Sequence, residues 1–112
     1  MSQVIEFQQY QRLAYRTTKQ NKPNDVQICD YSMGLAGEVG ELVNIIKKGL
    51  FHGHIISDQE IAEELGDCLW YIATLASCHG LSLEQIARDN IKKLQQRYPQ
   101  GFTEQHSKVR EG

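Results

Sequence analysis

Proline and cysteine are both scarce in this chain of 112 residues. The two prolines stand at positions 23 and 99, so nothing interrupts a helix in the long stretch between them. The three cysteines, Cys29, Cys68 and Cys78, cannot all pair within the chain, and none of them forms a Cys-x-x-Cys motif. Cys68 lies in a helical apolar pattern, which favours a small buried thiol. This cysteine usage is typical of a protein in a reducing compartment.

Long apolar runs are also absent. No segment approaches membrane-spanning length, and the amino end lacks the hydrophobic stretch of a signal peptide. The net charge of -2 and the scattered basic residues argue against a nucleic-acid partner. We therefore expect a cytoplasmic globular protein that binds neither nucleic acid nor a membrane.

Apolar residues recur at helical spacing along most of the chain, and no strand-like alternation of useful length competes with them. The first helix is predicted over residues 4–18, followed by a polar loop over residues 19–25. The second is predicted over residues 28–48, ending at Gly49, with a loop over residues 50–56.

Two further helices are indicated by serine residues three positions before Glu or Gln. Ser57 with Glu60 and Ser82 with Gln85 have the pattern of capping boxes, and the helices they begin are predicted to end near residues 78 and 98. The prediction is therefore an all-α, four-helix-bundle-like domain over residues 1–102, with a polar tail over residues 103–112. A core this small favours assembly as a homo-oligomer that covers the remaining apolar side chains.

The second and third helices carry the same pattern. Residues 35–42 read LAGEVGEL and residues 61–68 read IAEELGDC: apolar, Ala, any residue, Glu, apolar, Gly, acid, then an apolar or small residue. On a helical wheel Glu38 falls within the apolar stripe of its helix, and Glu41 lies about 60° round at its edge. The third helix repeats this arrangement with Glu64 and Asp67. The pattern points two acids of each helix toward the protein interior or its margin.

Burying an ionised carboxylate without a partner is costly, and four of them in one pocket repel each other unless a cation lies between them. Sites made only of oxygen ligands suit Mg²⁺ or Mn²⁺. A di-iron bundle is disfavoured because neither helix has a His three residues after its Glu, and zinc is disfavoured because it prefers His and Cys. A single Glu-x-x-Glu is usually a solvated face, so the repeat, and not either copy, carries the prediction. Gly40 and Gly66 are unfavourable in a helix interior, and they are explained if two helices approach closely there or if a ligand reaches the backbone.

The chain resembles the MazG-like all-α nucleotide pyrophosphohydrolases, a superfamily that includes dimeric dUTPases and phosphoribosyl-ATP pyrophosphohydrolases. The resemblance rests on LAGEVGEL (residues 35–42), EELGDCLWYIA (63–73) and NIKKLQQRYPQGF (90–102). It implies Mg²⁺-dependent hydrolysis of nucleoside triphosphates, NTP or dNTP, to a monophosphate and pyrophosphate, in nucleotide-pool house-cleaning. It also implies a homodimer or a dimer of dimers.

By the same resemblance the metal ligands and catalytic acids are Glu38, Glu41, Glu64 and Asp67. Lys93 and Arg97 match a basic pair that contacts substrate, Asn90 lies on the same face, and Tyr71 is placed to contact the sugar or base.

Alternatives remain open from the residues themselves. Glu60 or Glu63 is a possible extra ligand or base, and Trp70 fits the core or a subunit interface better than base stacking. The enzyme alternatives are a phosphoribosyl-ATP pyrophosphohydrolase or a dUTPase-like relative. Outside enzymes, a non-catalytic metal-binding oligomerisation module would keep the apolar stripes, but it has no need for four inward acids.

Overall fold

The computed structural model describes residues 4–101, which form four helices. In chain order the helices are α1, Phe7–Tyr15; α2, Asn24–Phe51; α3, Asp58–Cys78; and α4, Leu83–Arg97. Within these residues the one β-type contact is an isolated bridge between Pro99 and Gly101. The prediction of an all-α fold is confirmed, whereas the predicted tail over residues 103–112 lies outside the described part of the chain. Between residues 4 and 101, no helix combines the length and the apolar character needed to cross a membrane.

The first helix is shorter than predicted at both ends, since it begins at Phe7 and ends at Tyr15, and threonine side chains bind its last carbonyls. The Thr17 hydroxyl donates to the Ala14 carbonyl at 2.7 Å, and the Thr18 hydroxyl donates to the Tyr15 carbonyl at 2.6 Å. The same two carbonyls also accept from the backbone N–H groups of Thr17 and Thr18, so the chain closes into tight turns after Tyr15.

The second helix is longer than predicted at both ends. It begins at Asn24, inside the segment predicted as loop, directly after Pro23, whose fixed φ of -56° suits a helix start. The Asn24 side chain also donates to the Cys78 carbonyl at 2.9 Å, which joins the start of α2 to the end of α3. Residues 19–25 are polar and were therefore predicted as a loop, but α2 begins within them because a tertiary contact of Asn24 stabilises its start.

The prediction that α2 ends at Gly49 is wrong, because the helix continues to Phe51. Gly53 follows the helix with a φ of +69°, a conformation that favours glycine. Gly49 has a different role. A side chain there would collide with Ile56, which packs against the glycine as the chain turns back toward α3.

The predicted capping serines are confirmed. The Ser57 hydroxyl accepts from the Glu60 N–H at 3.1 Å, and the Ser82 hydroxyl accepts from the Gln85 N–H at 3.2 Å. Between α3 and α4 the chain reverses at Gly80, which has a φ of +67°. These local signals fix the start of α3 and the turn into α4.

The helices pack in two groups that share α3. The most extensive packing is between α2 and α3, while α1 packs on α3 and on α4. The buried core is small: Ala14, Ala73 and Leu83 form its centre, with Tyr10 and Trp70 against it. Trp70 also donates its indole N–H to the Thr17 hydroxyl at 2.8 Å, which ties α3 to the end of α1. The α2–α3 pair therefore forms the frame on which the acids lie.

Much of the apolar surface of α2 and α3 remains open to solvent. Val43 is 58% exposed, Leu65 52% and Ile72 41%. Isolated exposed apolar residues are ordinary, but several along two packed helices form a surface suited to a further contact.

Candidate metal centre

The four predicted acids lie on the two helices that pack most extensively. Glu38 and Glu41 are one turn apart on α2, and Glu64 and Asp67 are one turn apart on α3. Glu38 and Glu64 are half-buried, whereas Glu41 and Asp67 are exposed. This exposure follows the helical wheel, on which the first acid of each pair faces inward and the second lies at the edge.

Three of the four carboxylates come together. One oxygen from each of Glu38, Glu41 and Glu64 lies within 4.8 Å of the others. A small divalent cation binds oxygens at about 2.0–2.1 Å, so opposite ligands of one ion are about 4 Å apart. The three carboxylates are thus close to the spacing that one ion needs. Asp67 is not part of this group of three, although its charge acts on Glu38.

The electrostatics of Glu38 reflect this crowding. Hydrogen bonding to Glu64 is the largest of several causes that together raise the pKa of Glu38 from 4.5 to about 7. The others are burial and the charges of Glu41, Glu64 and Asp67. Two carboxyl groups can share a hydrogen bond only when one of them carries a proton. At neutral pH the cluster therefore favours binding a proton or a cation.

Two buried oxygens of the same carboxyl groups are consistent with this conclusion. Among the described residues, Oε2 of Glu38 and Oε2 of Glu64 are buried and have no hydrogen-bond partner. A buried acceptor without a donor is costly, and a cation between the helices would satisfy both atoms at once. The donor set contains only carboxylate oxygens, which fits a hard divalent ion.

Comparison with known proteins agrees with this geometry. Residues 30–102 match the MazG nucleotide pyrophosphohydrolase domain, a segment that includes every predicted site residue. This chain belongs to the MazG nucleotide pyrophosphohydrolase family. The matched family model is that of a nucleotide pyrophosphohydrolase domain, which is a hydrolase domain.

A viral relative is also similar to this MazG-family chain. The "Gene 37 protein" of Mycobacterium phage L5 is 39% identical over 74 residues, which cover 62% of this chain and 65% of the phage protein. The match thus spans a little under two thirds of that relative. No solved structure matches the chain significantly.

Cys68 of the MazG domain lies beside the acids and is buried, as predicted. Burial raises the pKa of its thiol, and the charges of Glu38, Glu64 and Asp67 raise it in the same direction. A thiol that resists ionisation is a poor metal ligand and a poor nucleophile. Cys68 is therefore part of the packing behind the acids.

Tyr71 lies one turn beyond Asp67 and packs against α2 at Gly34. A Cβ at Gly34 would lie 2.8 Å from the Tyr71 hydroxyl oxygen and closer still to its ring. The ring also meets Trp70 edge-on, with centroids 5.0 Å apart, and lies 6.4 Å from the ring of Tyr31. Gly34 was not identified from the sequence as part of the site, although it stands one turn before Glu38. The role of Tyr71 toward a sugar or base stays a prediction.

The two glycines singled out by the sequence pattern have open surroundings. Among the residues that the structure describes, a Cβ at Gly40 or Gly66 would meet nothing within 4 Å. Close packing between helices of this chain therefore does not account for them, and the tight approaches occur at Gly34 and Gly49 instead. Both predicted interpretations, a ligand that reaches the backbone and the close approach of a helix, stay predictions for these two positions, the second for a helix outside this chain.

The predicted basic residues lie on α4, apart from the acid cluster. Asn90 and Lys93 line a surface hollow together with Ile86 and Asp89. Arg97 is half-buried at the end of the helix. Across residues 4–101, the ion pairs are Lys22–Asp30 and Arg88–Glu84, so neither Lys93 nor Arg97 forms one with the acids. The structure thus places these two residues on one helix and leaves their substrate role as a prediction.

Proposed function

We propose that this MazG-family chain hydrolyses nucleoside triphosphates, NTP or dNTP, to a nucleoside monophosphate and pyrophosphate, and that Mg²⁺ is its cofactor. The observation that carries the proposal is the group of three carboxylates, two of which bury an oxygen without a partner. A triphosphate is a polyanion, and a purely acidic pocket would repel it without a cation. The cluster makes chemical sense as a metal site, with Mn²⁺ as a possible substitute.

In this proposal Glu38, Glu41, Glu64 and Asp67 hold the metal. Mg²⁺ bound there supplies positive charge that offsets the charge of the triphosphate. Asp67 completes the set from the edge, which is consistent with its effect on the pKa of Glu38.

The remaining steps are assigned to side chains of the chain itself. One of the four carboxylates, or Glu60 or Glu63, takes the proton from the water that attacks the α-phosphorus. Lys93 and Arg97 hold the phosphates in line, since cationic donors form strong hydrogen bonds to phosphate oxygens. Asn90 assists on the same face of α4, and Tyr71 contacts the sugar or the base. No covalent intermediate is required.

Self-association follows from the open apolar surfaces of α2 and α3. Exposed side chains such as Val43, Leu65 and Ile72 are best covered by a second copy of the chain. We therefore propose a homodimer or a dimer of dimers, acting on the cytoplasmic nucleotide pool. Sedimentation of the purified protein tests this assembly, and a monomer at micromolar concentration would contradict it.

The direct test of the activity is a panel of nucleotides incubated with the protein and Mg²⁺, with release of pyrophosphate as the readout. The panel includes ribo- and deoxyribonucleoside triphosphates, dUTP and phosphoribosyl-ATP, so that it separates a general enzyme from the specialised relatives. We expect a monophosphate and pyrophosphate with Mg²⁺ and neither product with EDTA. Tight Mg²⁺ binding with every nucleotide left intact would instead support the non-catalytic module.

A further inference from the structure

A buried glutamine joins α1 to the connection between α3 and α4. Gln11 is only 9% exposed. Its side-chain amide donates to the Leu81 carbonyl at 2.8 Å and to the Ser77 hydroxyl at 3.1 Å. Its side-chain carbonyl accepts from the Leu83 N–H at 2.8 Å. Both ends of this side chain thus bind groups within one short stretch of the chain.

Two of these partners, the Leu81 carbonyl and the Leu83 N–H, are backbone groups at the turn into α4. Leu83 is the first residue of α4, and the N–H groups of a first helical turn have no acceptor within the helix. Leu83 is also 5% exposed, so water is a poor substitute for Gln11 there. Gln11 therefore fixes the point at which α4 leaves the turn.

The direction of α4 depends on the joint formed by the hydrogen bonds of Gln11 to Ser77, Leu81 and Leu83. The main packing of α4 within the described chain is against α1, whereas the acids lie on α2 and α3. Along an α-helix, Lys93 is about 15 Å and Arg97 about 21 Å beyond Leu83. A tilt of about 10° at the joint would displace Arg97 by roughly 4 Å. A small change in the angle of α4 at its start therefore produces a large displacement of Arg97 at its end.

We propose that Gln11 is a positioning residue that sets the angle of α4 to the α2–α3 pair, and with it the affinity for the nucleotide. It acts through the joint, and it does not need to contact the substrate. This inference rests on the proposed function, since it takes Lys93 and Arg97 as phosphate-binding residues. Misplacing binding groups by ångströms is enough to weaken substrate binding severely.

The test compares Gln11→Met with Gln27→Met. Gln27 is the matched control because it is also buried, at 4% exposure, and its bonds go to the Lys22 carbonyl and the Cys78 thiol near the start of α2. For each variant, KM and kcat for the best nucleotide are measured, and Mg²⁺ affinity is measured by calorimetry. We expect Gln11→Met to raise KM by about tenfold or more, with Mg²⁺ affinity close to that of the wild type. Gln27→Met should leave KM unchanged.

A second readout does not depend on turnover. Spin labels at the exposed native Cys29 on α2 and at Gln96→Cys on α4 report the distance between the two helices, with labelled chains diluted into unlabelled protein. Gln11→Met should shift or broaden this distance distribution, and Gln27→Met should not. Ser77→Ala removes one of the three hydrogen bonds of Gln11 and is expected to cause a smaller change in the same distance distribution. If Gln11→Met does not fold, Ser77→Ala is measured in its place.

The outcomes separate the two proposals. A wild-type protein that turns over no nucleotide contradicts the proposed function, and the spin-label distances then still decide the role of Gln11 in the angle of α4. An active wild type with unchanged KM and unchanged distances in the Gln11 or Ser77 variants overturns the positioning role alone.

Discussion

The ring of Tyr71 occupies the space that a side chain at Gly34 would need. This contact joins α3 to α2 about one helical turn from an acid on each helix: Gly34 is four residues before Glu38, and Tyr71 is four residues after Asp67. Tyr31 and Trp70 surround the same ring, so it has little freedom to move aside. The spacing of the two acid-bearing helices is therefore fixed next to the carboxylates by a glycine and an aromatic ring.

Gly34→Ala is expected to destabilise the protein by about 1–3 kcal/mol, because the new methyl group overlaps the Tyr71 ring. The matched control is Gly37→Ala on the same helix, where a Cβ meets no atom of residues 4–101 within 4 Å. That change should stabilise the protein by up to about 1 kcal/mol, since alanine is the better helix former. Urea unfolding of both variants measures the difference. Equal effects of the two substitutions would show that the Tyr71 contact does not constrain α2.

The stability of the metal-free protein is expected to fall as the pH rises from 4.5 to about 7. Glu38 has its pKa raised to about 7 in the folded chain, against an ordinary value of 4.5. Below pH 4.5 it is protonated in both states; between the two values only the folded state keeps the proton, so deprotonation of the unfolded chain favours unfolding. Above about pH 7 this contribution is fully lost.

Melting temperatures across this pH range, in the presence of EDTA, check the prediction. Glu38→Gln should reduce the decline, because its amide does not titrate, and saturating Mg²⁺ should restore stability to the wild type at neutral pH. A wild type and a Glu38→Gln variant with the same pH profile would contradict it.

Lys93→Ala is expected to raise KM for a nucleoside triphosphate by about tenfold, with a smaller change in kcat, because it removes a phosphate contact. Lys92→Ala is the matched control. Lys92 adjoins Lys93 in sequence but lines a different hollow, together with Phe7 and Arg88. Steady-state kinetics of both variants test the assignment, and it fails if the two lysines behave alike.

Two glycines near the end of α2, Gly49 and Gly53, are expected to differ in how much stability is lost when each is replaced by alanine. Gly53→Ala should cost about 1 kcal/mol, because an L side chain is strained at its φ of +69°. Gly49→Ala should cost more, because its methyl group would collide with Ile56. Thermal unfolding gives the order of the two, and a neutral Gly49→Ala would refute the packing described for Ile56.

The sequence was sufficient for the features that depend on local periodicity. The four helices, the two serine caps and the inward position of Glu38 and Glu64 all follow from residue spacing within one element. Errors arose where distant residues decide the structure. Glycine is typical of a helix end, but at Gly49 the absence of a side chain instead leaves room for Ile56 to pack. Gly34 and Gln11 could not be identified because their roles depend on partners 37 or more residues away.

Local periodicity also determines how much of the site could be predicted from the sequence. The repeated acid pair predicted that two helices present carboxylates to each other, and the structure groups Glu38, Glu41 and Glu64. Whether Asp67 joins them depends on side-chain rotamers at the edge of the pocket, which periodicity does not determine. The relation of α4 to the acids depends on the α3–α4 turn and on Gln11, which no local pattern encodes.

The most direct measurement is a calorimetric titration of the metal-free protein with Mg²⁺ at neutral pH. Glu38→Gln and Glu64→Gln should each weaken binding by at least about tenfold, because each removes a carboxylate with a buried oxygen that has no hydrogen-bond partner in the described part of the chain. Glu84→Gln, on α4, should bind as the wild type does. Wild-type affinity in both Glu38→Gln and Glu64→Gln would contradict the claim that the acids of α2 and α3 hold a divalent cation.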